Sequence, residues 1–241
     1  MRFCHAILFV CLIGATFATA ARNRCIRETS FTPCSRCDYL TQKALDECYM
    51  REALRFGKTL NPSRPYGALI VDTHNNTISC YGVNSASQDV LLHGEMAAFK
   101  NCTALYFRGD DRNNPGLFWP NQTLYTTAES CPMCAAASVW RGLGRMVYGT
   151  DIPTLIRLGS KQMTIRNREL YTQNALSVFK TGGMGAINSN QVPFLAEGVL
   201  KEECDRAFYA GFGFSYPQDS RIGTSEDVFA TQSCGCGHQH D

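Results

Sequence analysis

Two hydrophobic rhythms alternate along the chain. From Leu40 to Phe56, the apolar residues Leu40, Ala44, Leu45, Cys48, Tyr49, Ala53 and Phe56 recur at helical spacing, and Gly57 is expected to close that helix. Tyr66 to Val71 is a short unbroken apolar run, the pattern of a buried strand. The polar cluster Asp72 to Asn76 reads as a turn, with Thr77 to Val83 returning as a second strand. A helix is expected after Leu91-Leu92-His93-Gly94-Glu95, with Met96, Ala97 and Phe99 facing inward. Thr123 to Thr126 reads as a third strand, leading through Ala128-Glu129-Ser130 into a helix that begins near Cys131 and ends at Gly142 and Gly144. Arg145 to Gly149 is a fourth strand. The stretch after it, from 150 to 190, is weakly patterned, and Gly198 to Phe212 forms a final amphipathic helix. Helices and strands alternating in this order argue for an α/β sandwich.

The first twenty residues follow another pattern. Arg2 precedes an apolar stretch from Ala6 to Phe17, and Ala18-Thr19-Ala20 supplies small residues flanking a cleavage point before Ala21. This reads as a secretory signal peptide, the alternative being an uncleaved membrane anchor. Cysteine usage points to the same compartment. Of thirteen cysteines, Cys4 and Cys11 fall in the leader, and eleven remain, a heavy load for a reducing cytosol and an ordinary one for an oxidising lumen. Cys25, Cys34, Cys37 and Cys48 crowd the N-terminal segment, where disulfides could staple the entry to the first helix. Sequons at Asn75, Asn101 and Asn121 fit an exported glycoprotein, with Asn75 best placed because it lies in the polar turn.

Composition adds an exclusion. At 44% apolar and 18% charged residues the 241-residue chain is an ordinary globular protein, with room for one large domain. Its net charge is only +2, and no block of Lys or Arg stands out. Proteins that hold polynucleotides generally carry a basic footprint, so its absence favours a small substrate.

The chemistry is concentrated at two helix starts. Cys131-Pro132-Met133-Cys134 places two sulfurs three residues apart on one helical face, at a terminus that favours thiolates. Together with His93 they make a three-ligand zinc set that leaves the fourth tetrahedral position open, as catalytic sites do and structural ones do not. Two thiolates cancel the charge of the ion, so a nearby carboxylate has to accept the proton of an activated water, and Glu95 is two residues from the proposed imidazole ligand. Two alternatives stand beside this one. Cys131 and Cys134 also suit a disulfide or a thioredoxin-like redox pair, which would leave His93 and Glu95 without a role; or the zinc is purely structural, on an inactive enzyme that serves as a secreted binding protein.

The order H-x-E…P-C-x-x-C is the signature of zinc nucleobase deaminases, and here Ser130 replaces the proline. The chain resembles the cytidine/deoxycytidylate deaminase superfamily, on the guanine deaminase and tRNA adenosine deaminase-like branch. Arg64 to Val71 is similar to the family's P-F-G-A-V-I-V strand, and Gly198 to Cys204 to its terminal G-[IV]-L-x-x-E-C helix. The resemblance implies a three-layer αβα sandwich around a five-stranded mixed sheet, assembled as a homodimer. It further implies that His93, Cys131 and Cys134 bind Zn²⁺, that Glu95 is the catalytic acid/base, and that Asn84 and the Gly94 backbone contact the substrate base. Tyr66 matches a position where an aromatic ring stacks on that base; read alone, it is a core aromatic. Ser130 is expected to cap the helix through its hydroxyl. The expected organisation is a leader at 1–20, a cysteine-containing extension at 21–35, a deaminase domain at 36–216 and a flexible tail at 217–241. In that tail, Cys234 to His240 either chelates a metal or supplies a disulfide partner. The aromatic run Phe212, Phe214 and Tyr216 reads as a pocket lid or as a plain apolar patch, and Cys204 as a buried free thiol.

Overall fold

The computed structural model describes residues 41–106, 119–181 and 192–217. The leader, the cysteine-containing extension, residues 107–118 and 182–191, and the tail beyond Pro217 lie outside the described residues. Helix α1 (Gln42–Leu60) starts where the Thr41 hydroxyl accepts a hydrogen bond from Ala44 N at 3.3 Å. It runs past Gly57, contrary to the expectation that this glycine ends it. Gly57 is instead the point where the helix touches the chain entering the first strand. A Cβ there would sit 2.7 Å from Pro65 O and 2.8 Å from Gly67 N, so only glycine permits the approach.

Strands β1 (Gly67–Asp72) and β2 (Thr77–Val83) form an antiparallel pair. Strand β3 (Gln122–Ala128) is antiparallel to β1 on its other side. Strands β4 (Arg145–Thr150) and β5 (Phe194–Ala196) continue in parallel, giving a five-stranded mixed sheet in the order β2-β1-β3-β4-β5. One face is covered by α2 (Gly94–Tyr106), α3 (Pro132–Arg141) and α5 (Asn167–Thr181), the other by α1 and α6 (Lys201–Gly211). A short helix, α4 (Ile152–Arg157), follows β4. Alternation within the strands feeds both cores. Ala68, Ile70, Leu124 and Met146 point to the α2–α3 side, where Phe99, Trp119, Ala135 and Val139 join them. On the other side Tyr49 packs on Tyr125, with ring centroids 5.2 Å apart.

Three expectations shift against this frame. The final helix begins at Lys201, because Gly198 (φ +69°) and Leu200 (φ +51°) take left-handed conformations that helix propagation excludes. On α2 the inward face is carried by Ala98, Phe99 and Cys102, with Met96 and Ala97 half-buried. The weakly patterned stretch holds α4 and α5. As expected, α3 stops at Gly142, whose φ of +69° makes a left-handed cap. Among the described residues no helix is long and apolar enough to cross a membrane.

Cys80 and Cys102 form a disulfide that ties β2 to α2. Cys48 is also disulfide-bonded. Cys204 is a fully buried free thiol on α6, as its position in an amphipathic pattern suggested. Asp46 is another buried anchor. Its carboxylate accepts two hydrogen bonds from Arg145, both at 2.6 Å, and one from the Tyr125 hydroxyl at 2.8 Å, so α1, β3 and β4 meet at one point.

Candidate metal centre

Helix α2 is brought unusually close to the sheet by Gly82. A Cβ on that residue would overlap the Gly94 carbonyl oxygen and the Ala98 amide nitrogen, so β2 offers bare backbone where the helix begins. His93 immediately precedes α2 and Glu95 lies in its first turn. Across the same face of the sheet, Cys131 holds the N-cap position of α3 and Pro132 its first helical position. Two helix starts therefore converge at the carboxyl end of β3.

The convergence brings the predicted ligands together. His93 Nδ1 lies 3.4 Å from Cys131 Sγ and 3.8 Å from Cys134 Sγ, and the three ligand atoms all fall within 4.8 Å of one another. Both cysteines are free thiols, with no disulfide between them. A tetrahedral zinc with bonds of about 2.3 Å to sulfur and about 2.0 Å to nitrogen needs sulfur–nitrogen edges of roughly 3.6 Å. The observed edges bracket that value, and two sulfurs with one imidazole nitrogen are a borderline-soft donor set suited to zinc. The residues fit the ion.

The electrostatics support the same reading. The Cys131 pKa is pushed down to about 4, chiefly because the Cys134 thiol donates a hydrogen bond to it. Burial opposes that shift, while His93 and the Cys134 amide reinforce it. As the donor in that bond, and as a buried group near Glu95, the Cys134 thiol is pushed up. The His93 pKa is raised by its hydrogen bond to Cys131 against the opposing effect of burial. A divalent cation bound by these donors would take the place of their protons.

Glu95 is 6% exposed. Burial raises its pKa first and the Cys131 charge second, while hydrogen bonds from its own amide and from Ser130 pull it back. The Ser130 hydroxyl donates to Glu95 Oε1 at 2.7 Å. Ser130 is therefore not a helix cap, since Cys131 occupies that position. The serine itself is fixed: Asn167 Nδ2 donates to its carbonyl oxygen at 2.6 Å. Its neighbour Glu129, 2% exposed, accepts from Arg166 Nε at 2.6 Å and from the amides of Ile152 and Asn167 at 3.0 Å each. This clamp from α5 onto the β3–α3 loop has no sequence signal, because Arg166 and Asn167 sit in the weakly patterned stretch.

The remaining candidates are held in differing ways. Asn84 N donates to Tyr66 O at 3.0 Å, which sets Asn84 and Tyr66 side by side next to Gly94. A Cβ on Gly94 would lie 3.0 Å from that same Tyr66 oxygen. The Asn84 side-chain oxygen accepts from Ala86 N at 3.3 Å, in the manner of a turn residue. The Tyr66 ring packs on Phe208, 4.8 Å between centroids, and its hydroxyl lies 3.2 Å from Ser160 Oγ. Past the end of α6, Phe212 lies under the Arg64 guanidinium at 3.9 Å, Tyr216 packs edge-on against Tyr209, and Phe214 is exposed.

Comparison with known proteins places this arrangement. Residues 43–150 match the cytidine and deoxycytidylate deaminase zinc-binding region. A probable cytosine deaminase of Schizosaccharomyces pombe is 33% identical over 118 residues, covering 48% of this chain and 67% of that protein. The cytosine deaminase of Candida albicans is 31% identical over 105 residues, covering 43% of this chain and 61% of that one. The chain thus spans about three fifths to two thirds of the length of these fungal relatives. The solved guanine deaminase from Nitrosomonas europaea superposes with a TM-score of 0.50 at 16% identity, over 72% of this chain and 86% of that chain, a likeness of fold. Residues 43–150 contain both helix starts, and a third of the 118 residues aligned with the Schizosaccharomyces pombe protein, over two thirds of its length, are identical: the chain belongs to the cytidine and deoxycytidylate deaminase family.

Proposed function

We propose that this chain is an exported, zinc-dependent hydrolytic deaminase that removes the exocyclic amine from a free nucleobase or nucleoside, guanine-like or cytosine-like. The observation that carries the proposal is the buried Glu95 carboxylate held beside a His93–Cys131–Cys134 group whose ligand atoms lie within 4.8 Å of one another. Zinc bound there would supply the positive charge that acidifies a water molecule. The chain's own residues do the rest. Glu95 accepts a proton from the water that attacks the amine-bearing ring carbon. It returns that proton to the amine as the carbon–nitrogen bond breaks, so ammonia leaves, and transfer of the added hydroxyl's proton to the adjacent ring nitrogen leaves a carbonyl. Burial suits Glu95 to both steps, because a carboxyl with a raised pKa holds a proton more readily once it has taken it from water and can still pass it to the amine. Asn84 and the Gly94 backbone are proposed to meet the edge of the base, with the half-buried Tyr66 at the pocket wall.

Relatives named as cytosine deaminases and a fold neighbour named as a guanine deaminase support small bases of either ring size. The buried Cys80–Cys102 disulfide supports export, since such bonds persist in oxidising compartments. The test is ammonia release from a panel of guanine, cytosine, cytidine and adenosine by zinc-loaded protein, with Glu95→Ala as control. One zinc per chain and turnover that the control abolishes are expected. A folded protein with one zinc and no ammonia from any member would refute the enzymatic reading and leave a zinc-stabilised binding protein.

A further inference from the structure

We infer that Ser130 is a positioning residue that fixes the Glu95 carboxylate, a role taken at the point where the family signature has proline. This rests on the deaminase reading for its kinetic consequence, though not for its structural one. A proline in this place has no side-chain donor and can only stiffen the approach to the first cysteine. Serine changes what the loop can do. Its hydroxyl, with the residue 0% exposed, is spent on Glu95 Oε1 at 2.7 Å. A buried carboxyl oxygen deprived of this donor loses a hydrogen bond at the depth where an unmade one costs most.

The rigidity lost with the ring is replaced from outside the loop. Asn167, also 0% exposed, donates to the Ser130 carbonyl at 2.6 Å, and its own amide donates to Glu129 Oε1 at 3.0 Å. Glu129 N in turn donates to Thr150 O at 2.7 Å, tying the loop to the end of β4. Ser130 is thus held at its backbone by α5 and β4, and its hydroxyl transmits that placement to Glu95. With Oε1 held in this way, the carboxyl group would meet the reacting water at a constant angle. Small errors at such a group are costly, because proton transfer depends on alignment.

The experiment uses the full chain loaded with zinc, carrying Ser130→Ala or Ser130→Pro. Both variants lack the donor, and the second restores the family's residue. Each is expected to keep one zinc per chain and a KM within about twofold of wild type, while kcat falls about tenfold or more. Ser130→Thr, which keeps the hydroxyl, is expected to recover most of that loss. Crystal structures supply a readout independent of turnover: the Glu95 side chain should occupy one rotamer in the wild type and leave it in Ser130→Ala. Wild-type kcat in either donor-less variant, or an unmoved Glu95 in Ser130→Ala, would overturn the inference. So would a loss confined to KM or to zinc content, which would make Ser130 part of the binding wall or the ligand loop. Should the wild type itself release no ammonia, the deaminase reading fails while the Glu95 rotamer still decides the role of Ser130.

Discussion

The Cys80–Cys102 disulfide closes a loop of 22 residues between β2 and the helix that carries Glu95. Replacing both residues by alanine removes the cross-link without introducing a polar group, in a site where each sulfur-bearing residue is 1% exposed. The chain-entropy relation for a loop of that length gives about 11 cal/mol/K, or about 3.4 kcal/mol at 25 °C, of unfolded-state restriction. The lost sulfurs leave a small void in the α2 face of the core, for which about 1 kcal/mol more is reasonable. For a chain of this size, each kcal/mol lowers the midpoint by about 2–4 °C, so the pair should lose roughly 9–18 °C. Thermal unfolding of zinc-loaded protein, followed by far-UV circular dichroism, reads this directly. At 25 °C the variant should still hold one zinc, because Gly82 and Ala98 keep α2 against the sheet by packing rather than by the sulfur bond. A midpoint within about 2 °C of wild type would refute the reasoning. It would mean that the denatured chain is already restricted here, or that the bridge strains the native state by as much as it stabilises it.

Other consequences follow from buried polar anchors and surface chemistry. Asp46→Ala strands Arg145, whose side chain is only 17% exposed, together with the Tyr125 hydroxyl. A loss of about 3–5 kcal/mol is expected in urea unfolding. The Asp151 side chain caps α4 by accepting from Thr154 N at 2.9 Å and lies 3.4 Å from Lys201 Nζ. Burial alone would raise its pKa, but the Thr154 bonds and the Lys201 charge outweigh burial and lower it. A depressed carboxyl stabilises above its unfolded value and loses that contribution as pH falls through the folded one. Asp151→Ala should therefore cost about 1 kcal/mol at pH 7, and the gap from wild type should close progressively below about pH 4. If the chain is expressed through a secretory pathway, glycopeptide mapping should find Asn75 occupied, since it lies exposed in the β1–β2 turn. Asn101 and Asn121 should be empty in folded protein. The amide of Asn101 donates to Tyr81 O at 3.1 Å, and Thr123 of the last sequon is 0% exposed in β3.

The candidate metal ligands were legible because their geometry is local. Three-residue spacing at a helix start fixes Cys131 and Cys134 relative to each other, and two-residue spacing fixes His93 relative to Glu95; only the meeting of the two pairs needed the fold. The second strand could be read for a similar reason, since a polar turn on one side and Asn84 on the other bound a simple alternation. Gly57 misled for the opposite reason. A glycine after a helical pattern usually marks a stop, but here the helix continues, and the glycine serves the approach of Gly67, ten residues away. No local rule contains that contact. Strand β5, with three residues and paired only to β4, is too short to show a period and owes its conformation to the sheet edge it joins. Ser130 shows the limit most clearly. As one letter before Cys131 it suggested a cap, because a hydroxyl at a helix start usually finds an amide of its own helix. Its partner is instead a carboxylate from another helix, and its backbone is secured by Asn167 from a stretch with no pattern at all. Short motifs thus reveal which atoms do the chemistry. The atoms that hold them at the right angle come from wherever the fold happens to supply a buried donor, and in this chain that includes a serine standing where its relatives' signature has only a ring.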